Sequence, residues 1–271
     1  MEMNKMLLAC LLLMSGMGIA MAEQDNDWRF IENKGQWTPV VKFEAPMYGG
    51  KFYLEQSGFT WQFVNASDLH EVKEGRMPLS AAHISGHVFK AQFRNCSPDA
   101  QITGSDPFNS YYNYFQGNDA SKWRGGVPAY QHVWYEGLYP NVDMQVYSKW
   151  GNVKYDLILQ PGADPEQIII DYTGADRMYL EGQQLVIETS LSKVVEQAPY
   201  AYQTIAGRQI QVPCFYVLEG NSLRFSLPEG YNTDYPLVID PSSLVFCSFS
   251  GSTEDNWGYS ATYDNDGNLY G

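Results

Sequence analysis

The clearest alternation of hydrophobic and polar positions runs from Tyr139 to Asp171. Val142, Met144 and Val146 alternate with Asp143, Gln145 and Tyr147. After Lys149-Trp150-Gly151-Asn152 the alternation resumes, with Val153, Tyr155, Leu157 and Leu159 against Lys154, Asp156 and Ile158. A period of two on both sides of a short glycine-containing break predicts a β-hairpin. Pairing Lys149 with Asn152 sets Val146 opposite Tyr155, Met144 opposite Leu157 and Val142 opposite Leu159. One face is then apolar throughout, and a slip of one residue would destroy it. An isolated hairpin is marginal in water, so this face needs a second layer over it.

Short strands of the same kind fill the rest of the chain. Val40–Ala45 reads as a strand, and Gly50–Glu55 with Phe59–Val64 as a hairpin across Gln56-Ser57-Gly58. His87, Phe89, Ala91 and Phe93 line one side of a half-buried strand. Asp106-Pro107 reads as a turn, Tyr111–Phe115 as a strand, and Ala120–Pro128 as a loop and the best internal boundary. Nine further short segments between Ile168 and Pro241, separated by Pro and Gly, continue the pattern. No long helical period occurs after the N-terminus. Many short strands at close spacing predict an all-β fold, an antiparallel β-sandwich in one or two sub-domains.

The N-terminus has a different pattern. One Lys in Met1–Lys5, an apolar run from Met6 to Ile19, and Ala20-Met21-Ala22 before Glu23 read as a secretory signal peptide over residues 1–22. No later run reaches the ~18 apolar residues of a membrane helix. Leu7-Leu8-Ala9-Cys10 is a poor lipoprotein box, because most of the apolar run follows Cys10. The boundaries expected after the signal are 23–125, a β-rich sub-domain; 126–241, a sub-domain built on the hairpin; and 242–271. At Pro241 the composition turns to Ser, Gly, Asp and Asn, and Gly271 falls in mid-hairpin, so the chain reads as a fragment of a longer protein.

Charge and cysteine content narrow the function classes. With 17 basic against 31 acidic residues the net charge is -14, which argues against nucleic acid or anionic lipid as partner. Cys96, Cys214 and Cys247 remain after the signal. An odd number leaves at least one thiol unpaired, and their wide spread without a C-x-x-C excludes a disulfide scaffold and argues against a thiolate zinc site.

Candidate chemistry is sparse. Asp143 and Asp156 fall diagonally on the polar face of the hairpin, about 7–8 Å apart at Cα. That spacing suits a paired-carboxylate hydrolase or a calcium site, and equally a solvated face balanced by Lys154. His83 and His87 have helical zinc spacing, but in a strand they lie ~13 Å apart, too far to share one metal. Asp264-Asn265-Asp266-Gly267-Asn268 resembles half a calcium loop and reads first as a hairpin turn. Aromatic residues make up 15% of the chain, more than enough for a core, so only those on polar loops suggest a sugar platform. Trp123, between Lys122 and Arg124 in a Gly-rich loop, is the one singled out for binding. No nucleophile-elbow, P-loop or dinucleotide motif is present, and neither a catalytic residue nor a cofactor is assigned.

Two sets of motifs carry a resemblance. The tail, with Phe249-Ser250-Gly251-Ser252, Asp255-Asn256-Trp257-Gly258-Tyr259 and Asp264 to Gly271, resembles the first unit of an SBBP-type β-propeller repeat. Residues 23–241 resemble the uncharacterised all-β domain that precedes such repeats in exported Bacteroidota proteins. The matching pieces are Phe30–Trp37, Tyr139–Asp143, Lys154-Tyr155-Asp156, Pro161–Pro165 and Tyr235–Pro241. The resemblance implies a secreted or surface-anchored multidomain protein, often with a gliding-motility-type or type IX sorting domain, and brings no catalytic residues. The expected function is a non-catalytic structural or adhesive module at the cell surface, facing an extracellular glycan or surface protein. The alternatives are a glycan-binding module using exposed aromatics, with or without calcium, and a secreted glycan hydrolase.

Overall fold

The structure, a computed structural model, describes residues 28–47, 49–65, 68, 83–115, 117–149 and 151–241, and the backbone of 244–248, 262–263 and 269–270. The signal-like segment, residues 69–82 and the propeller-like motifs of the tail lie outside the described residues, apart from those short backbone strands.

The fold is all-β and antiparallel. In chain order the strands are β1 (Phe30–Glu32), β2 (Val41–Met47), β3 (Gly50–Glu55), β4 (Gly58–Val64), β5 (Gly86–Phe93), β6 (Gln101–Tyr114), β7 (Arg124–Tyr139), β8 (Val142–Lys149) and β9 (Asn152–Leu159). They are followed by β10 (Ile170–Thr173), β11 (Arg177–Glu181), β12 (Gln184–Glu188), β13 (Ser192–Glu196), β14 (Pro199–Ile205), β15 (Arg208–Val212), β16 (Phe215–Glu219), β17 (Ser222–Ser226) and β18 (Leu237–Pro241). Backbone strands β19 (Leu244–Ser248), β20 (Thr262–Tyr263) and β21 (Leu269–Tyr270) complete the set.

The predicted hairpin is β8–β9, and its register is the one the alternation demands: Lys149 pairs with Asn152, Val146 with Tyr155, Met144 with Leu157 and Val142 with Leu159. Val142, Met144, Val146, Tyr155, Leu157 and Leu159 are all buried. The cover they require comes from the same sheet. Fourteen strands follow one another in the order β15-β14-β18-β9-β8-β7-β1-β2-β3-β4-β5-β10-β17-β16, and β6 adds to β7. The long strand β7 is the branch point. One of its edges pairs with β6 over nearly its whole length; the other pairs with β1 at Ala129 and Tyr130 and with β8 from His132 onward. From β7 the sheet thus departs in two directions.

Those two halves face each other. Phe59 is on β4, four strands from β7 through β1, and Tyr155 is on β9, two strands from β7 through β8, yet their ring centroids are 6.0 Å apart. The sheet is therefore curled over a single aromatic core. Phe59 also meets Tyr135 of β7 at 6.2 Å, and Trp61 stacks on Phe89 at 4.7 Å with the rings 9° from parallel. The facing strands belong to one continuous sheet. Strands from either side of residue 125 share that sheet and its core.

A second sheet, β11-β12-β13-β19, contributes Leu185, Ile187 and Val194 to the same core. Glu196, at the end of β13, is buried, and its Oε1 accepts hydroxyl hydrogen bonds from Tyr155 of β9 at 2.8 Å and Tyr216 of β16 at 2.6 Å. One carboxyl oxygen thus joins the small sheet to strands near opposite ends of the large one.

Two local readings need correction. Asp106-Pro107 does not end a strand: β6 runs from Gln101 to Tyr114 through an irregularity there, with Asp106 at φ 57°. Proline cannot donate to a ladder, and on this strand it is tolerated because, among the described residues, β6 pairs only with β7. Residues 124–128, read as loop, are the start of β7; the adjacent glycines, Gly125 and Gly126, mask a continuous ladder.

Candidate functional site

Two groups of side chains stand out, and each contains a residue singled out from the sequence. The first is at the tip of the β6–β7 ribbon. Tyr111, Phe115 and Trp123 are 65%, 60% and 42% exposed. Alternation sends Tyr112 and Tyr114 inward, where they pack with Trp37 against Ile31, Val127 and Ala129. The intervening positions are left to solvent.

The connecting loop is pinned. Asp119 caps a single 3-10 turn, Ala120–Lys122, by accepting from the Ser121 N–H and hydroxyl. The Trp123 indole N–H donates to Gly117 O at 3.2 Å, and its ring meets Phe115 edge-on at 5.7 Å. Arg124 donates from Nε to Lys34 O at 2.7 Å and from Nη1 to Ser121 O and Trp123 O. The guanidinium lies against Gly35, whose φ of +101° and lack of a side chain both matter: an added Cβ would sit 2.9 Å from Arg124 Nη2. Trp123 is thereby held with its polar edge satisfied and much of its surface open.

The second group lies on the polar face of the sheet where β8, β9 and β18 run side by side. Asp143 and Asp156 are engaged separately. Asp143 Oδ1 accepts the Gly137 N–H at 2.7 Å, beside the irregular end of the β7–β8 pairing. Asp156 accepts from the Tyr147 hydroxyl at 3.2 Å and has Asp240 beside it. Asp240 comes alongside because β18 pairs with β9, Ile239 opposite Leu157. Burial, and then the neighbouring Asp240, push the Asp156 carboxyl up to about 6. Lys154 lies on the same face of β9, only 7% exposed, with Nζ 2.8 Å from Asp240 Oδ1 and 3.0 Å from Oδ2. Only the Oδ2 contact is aligned as a hydrogen bond, and Oδ1 is buried without another aligned donor. The Tyr147 ring lies over Nζ at 5.6 Å.

The histidine pair also resolves. Both ring nitrogens of His87 are occupied, Nε2 by Gly174 O at 2.7 Å and Nδ1 by the Ser190 hydroxyl at 2.9 Å. Among the described residues no group of three His, Cys, Asp or Glu side chains is placed to hold a metal. Cys96 and Cys214 are free thiols, Cys214 buried. Asp264–Asn268 and the Cys247 side chain lie outside the described residues.

The family described as a domain of unknown function, DUF7948, matches residues 30–242, from the first residue of β1 to one residue past β18. The chain belongs to the DUF7948 family. No curated protein and no solved structure matches it.

In this DUF7948 domain the residues that sequence reasoning missed are Lys154 and Asp240, the partners of Asp156, and Glu196. Lys154 was read as a balancing surface charge; burial makes it something else. Asp240 could not be placed beside Asp156 from the hairpin alone, because the pairing of β18 with β9 joins positions more than eighty residues apart. For Glu196 the available signal was its place at the end of an alternating segment, Val194 to Gln197, where an acid takes an inward position.

Proposed function

We propose that this DUF7948 domain is a non-catalytic adhesive module of an exported multidomain protein, and that it engages an extracellular glycan through Tyr111, Phe115 and Trp123. The observation that carries the reading is the exposure of those three rings at one end of a long ribbon, with Trp123 held by its N–H bond to Gly117 O and its edge contact with Phe115. Aromatic faces bind the apolar faces of sugars at low entropic cost when their own side chains are already fixed. The pattern of residues 1–22 supports export, and the motifs after Pro241 support a following propeller with a surface or secreted location. The net charge of -14 fits an uncharged or cationic ligand better than a polyanion.

The polar-face carboxyls fit poorly with the hydrolase alternative. Glycoside hydrolases hold their two carboxyls roughly 5–5.5 Å or 6.5–9.5 Å apart. Asp156 and Asp240 stand side by side on adjacent strands, Tyr147 donates to the first and Lys154 is ion-paired to the second. The test is retention of the purified domain on a panel of immobilised neutral and basic polysaccharides. Wild type and Asp156→Asn should be retained alike, and Trp123→Ala should lose at least ten-fold in affinity. Equal retention of the Trp123 variant, or no retention of the folded wild type by any member of the panel, refutes the reading.

A further inference from the structure

We infer that Lys154 and Asp240 are the two halves of an intramolecular amide cross-link, formed with the help of Asp156, that ties β18 covalently to β9. Three geometric facts carry it. First, the amine and the carboxyl are already in contact: with both oxygens within 3.0 Å of Nζ, the carboxyl carbon is no more than about 3.3 Å away, inside the reach of a near-attack arrangement. Second, the amine is shielded. Lys154 is 7% exposed, an aromatic ring covers its nitrogen, and the Asp240 Oδ1 it meets is itself buried. Third, a further carboxyl, Asp156, stands beside the reacting one, one position along from the Leu157–Ile239 pair of β9 and β18, and accepts from the Tyr147 hydroxyl. An isolated surface ion pair needs no such neighbour, and two acids on one lysine leave one of them to carry a proton.

The chemistry balances without an outside reagent. A proton passes from the Lys154 ammonium to Asp240, giving an amine and a carboxylic acid. The nitrogen lone pair attacks the Asp240 carboxyl carbon, and the π electrons of its C=O move onto oxygen. Asp156 donates its proton to the departing hydroxyl and recovers one from the nitrogen. The C–O bond breaks with its electron pair on oxygen, water leaves, and the amide remains. Nothing is oxidised or reduced, and Asp156 ends as it began. Its part is to move protons while touching the reacting group, a role suited to an acid whose proton is held near neutrality.

The location gives the bond a use. β18 is the last strand of the large sheet in chain order, and the chain continues from it to β19 of the small sheet. An amide at Asp240 would pass tension from that side directly into the β8–β9 hairpin, bypassing the β18–β9 hydrogen bonds. The cross-link stands independently of glycan binding: either can fail while the other holds.

Intact-mass measurement of the purified, folded protein tests it, with peptide mapping under denaturing conditions. The expected result is a mass one water below that of the sequence, and a branched peptide joining the Lys154 and Asp240 segments. Lys154→Arg keeps the positive charge but removes the nucleophile, and should give the full mass. Asp156→Asn should leave the protein folded and reduce the cross-linked fraction at least ten-fold. Full mass in folded wild type overturns the inference and leaves an ion pair. So does a lost water with every peptide linear, as cyclisation of an N-terminal Glu would produce. Undiminished cross-linking in Asp156→Asn overturns the role given to Asp156. The wild-type mass decides the main point even if a variant fails to fold.

Discussion

Glu196→Gln should make the domain more stable at alkaline pH and should remove part of its pH dependence. Glu196 is buried where three strands from two sheets meet, and burial pushes its carboxyl up to about 7, against the opposing pull of the two tyrosine hydroxyls. Its usual value is 4.5. The folded state therefore holds this proton more tightly than the unfolded chain. The stabilisation is fully present below pH 4.5 and is lost as pH rises through 7. A displacement of some two and a half units, at 1.36 kcal/mol each, amounts to about 3 kcal/mol lost by pH 8. Glutamine keeps a carbonyl oxygen for both tyrosine hydroxyls and carries no charge, so the variant should escape that loss. Urea unfolding at intervals from pH 5 to pH 9 measures it. The two proteins should be close at pH 5 and separate progressively, the variant leading by about 3 kcal/mol at pH 8. Parallel profiles would refute the reasoning, because they would mean that Glu196 titrates alike in both states. Subtracting one profile from the other also removes the contribution of Asp156, whose raised value acts in the same direction over a lower window.

The other predictions concern different layers of the structure. Asp156→Asn should flatten the wild-type stability profile between pH 4 and pH 6, since burial raises that carboxyl to about 6 and ionising it costs stability as pH rises; thermal melts in that window check it. Trp61→Ala should cost about 3–5 kcal/mol in urea unfolding, because the ring is buried and stacked on Phe89. Trp61→Phe should cost less than Trp61→Ala, because a ring remains to pack on Phe89 and the buried indole N–H has no acceptor among the described residues to lose. Gly35→Ala should destabilise by about 1–3 kcal/mol through strain at positive φ and displace Arg124; weakened polysaccharide retention alongside the lower unfolding midpoint would show that Arg124 holds the Trp123 loop. Below pH 4 stability should fall instead, since Arg94 keeps the Asp171 carboxyl below its usual range through hydrogen bonds that bind β5 to β10.

How much of this was legible in the sequence depends on the range of the interaction that decides it. Alternation determines which side of a strand is apolar, and a short turn determines what lies opposite, so β8–β9 could be read to the residue pair. The β3–β4 hairpin was legible for the same reason. Asp106-Pro107 misled because Pro is a turn signal wherever its missing N–H would be needed; the strand survives it because β6 pairs on one side only among the described residues. Gly125 and Gly126 misled in the same way at the start of β7.

The sites divide along the same line. Trp123 could be suspected from its loop, since an aromatic between two cations and two glycines has no strand period to bury it. The polar-face cluster could not be completed, because each hairpin determines only its own partner. Asp143 and Asp156 shared a hairpin face and looked like a pair, yet the carboxyl against Asp156 arrives on β18. What turns Lys154 from a solvated charge into a buried reactant is that same strand, so a reading confined to the hairpin had to count it as a counter-ion. Alternation specifies a face, and the order of strands in the sheet specifies which faces are neighbours. In a curled sheet whose adjacent strands can be more than eighty residues apart, the second kind of information decides the chemistry.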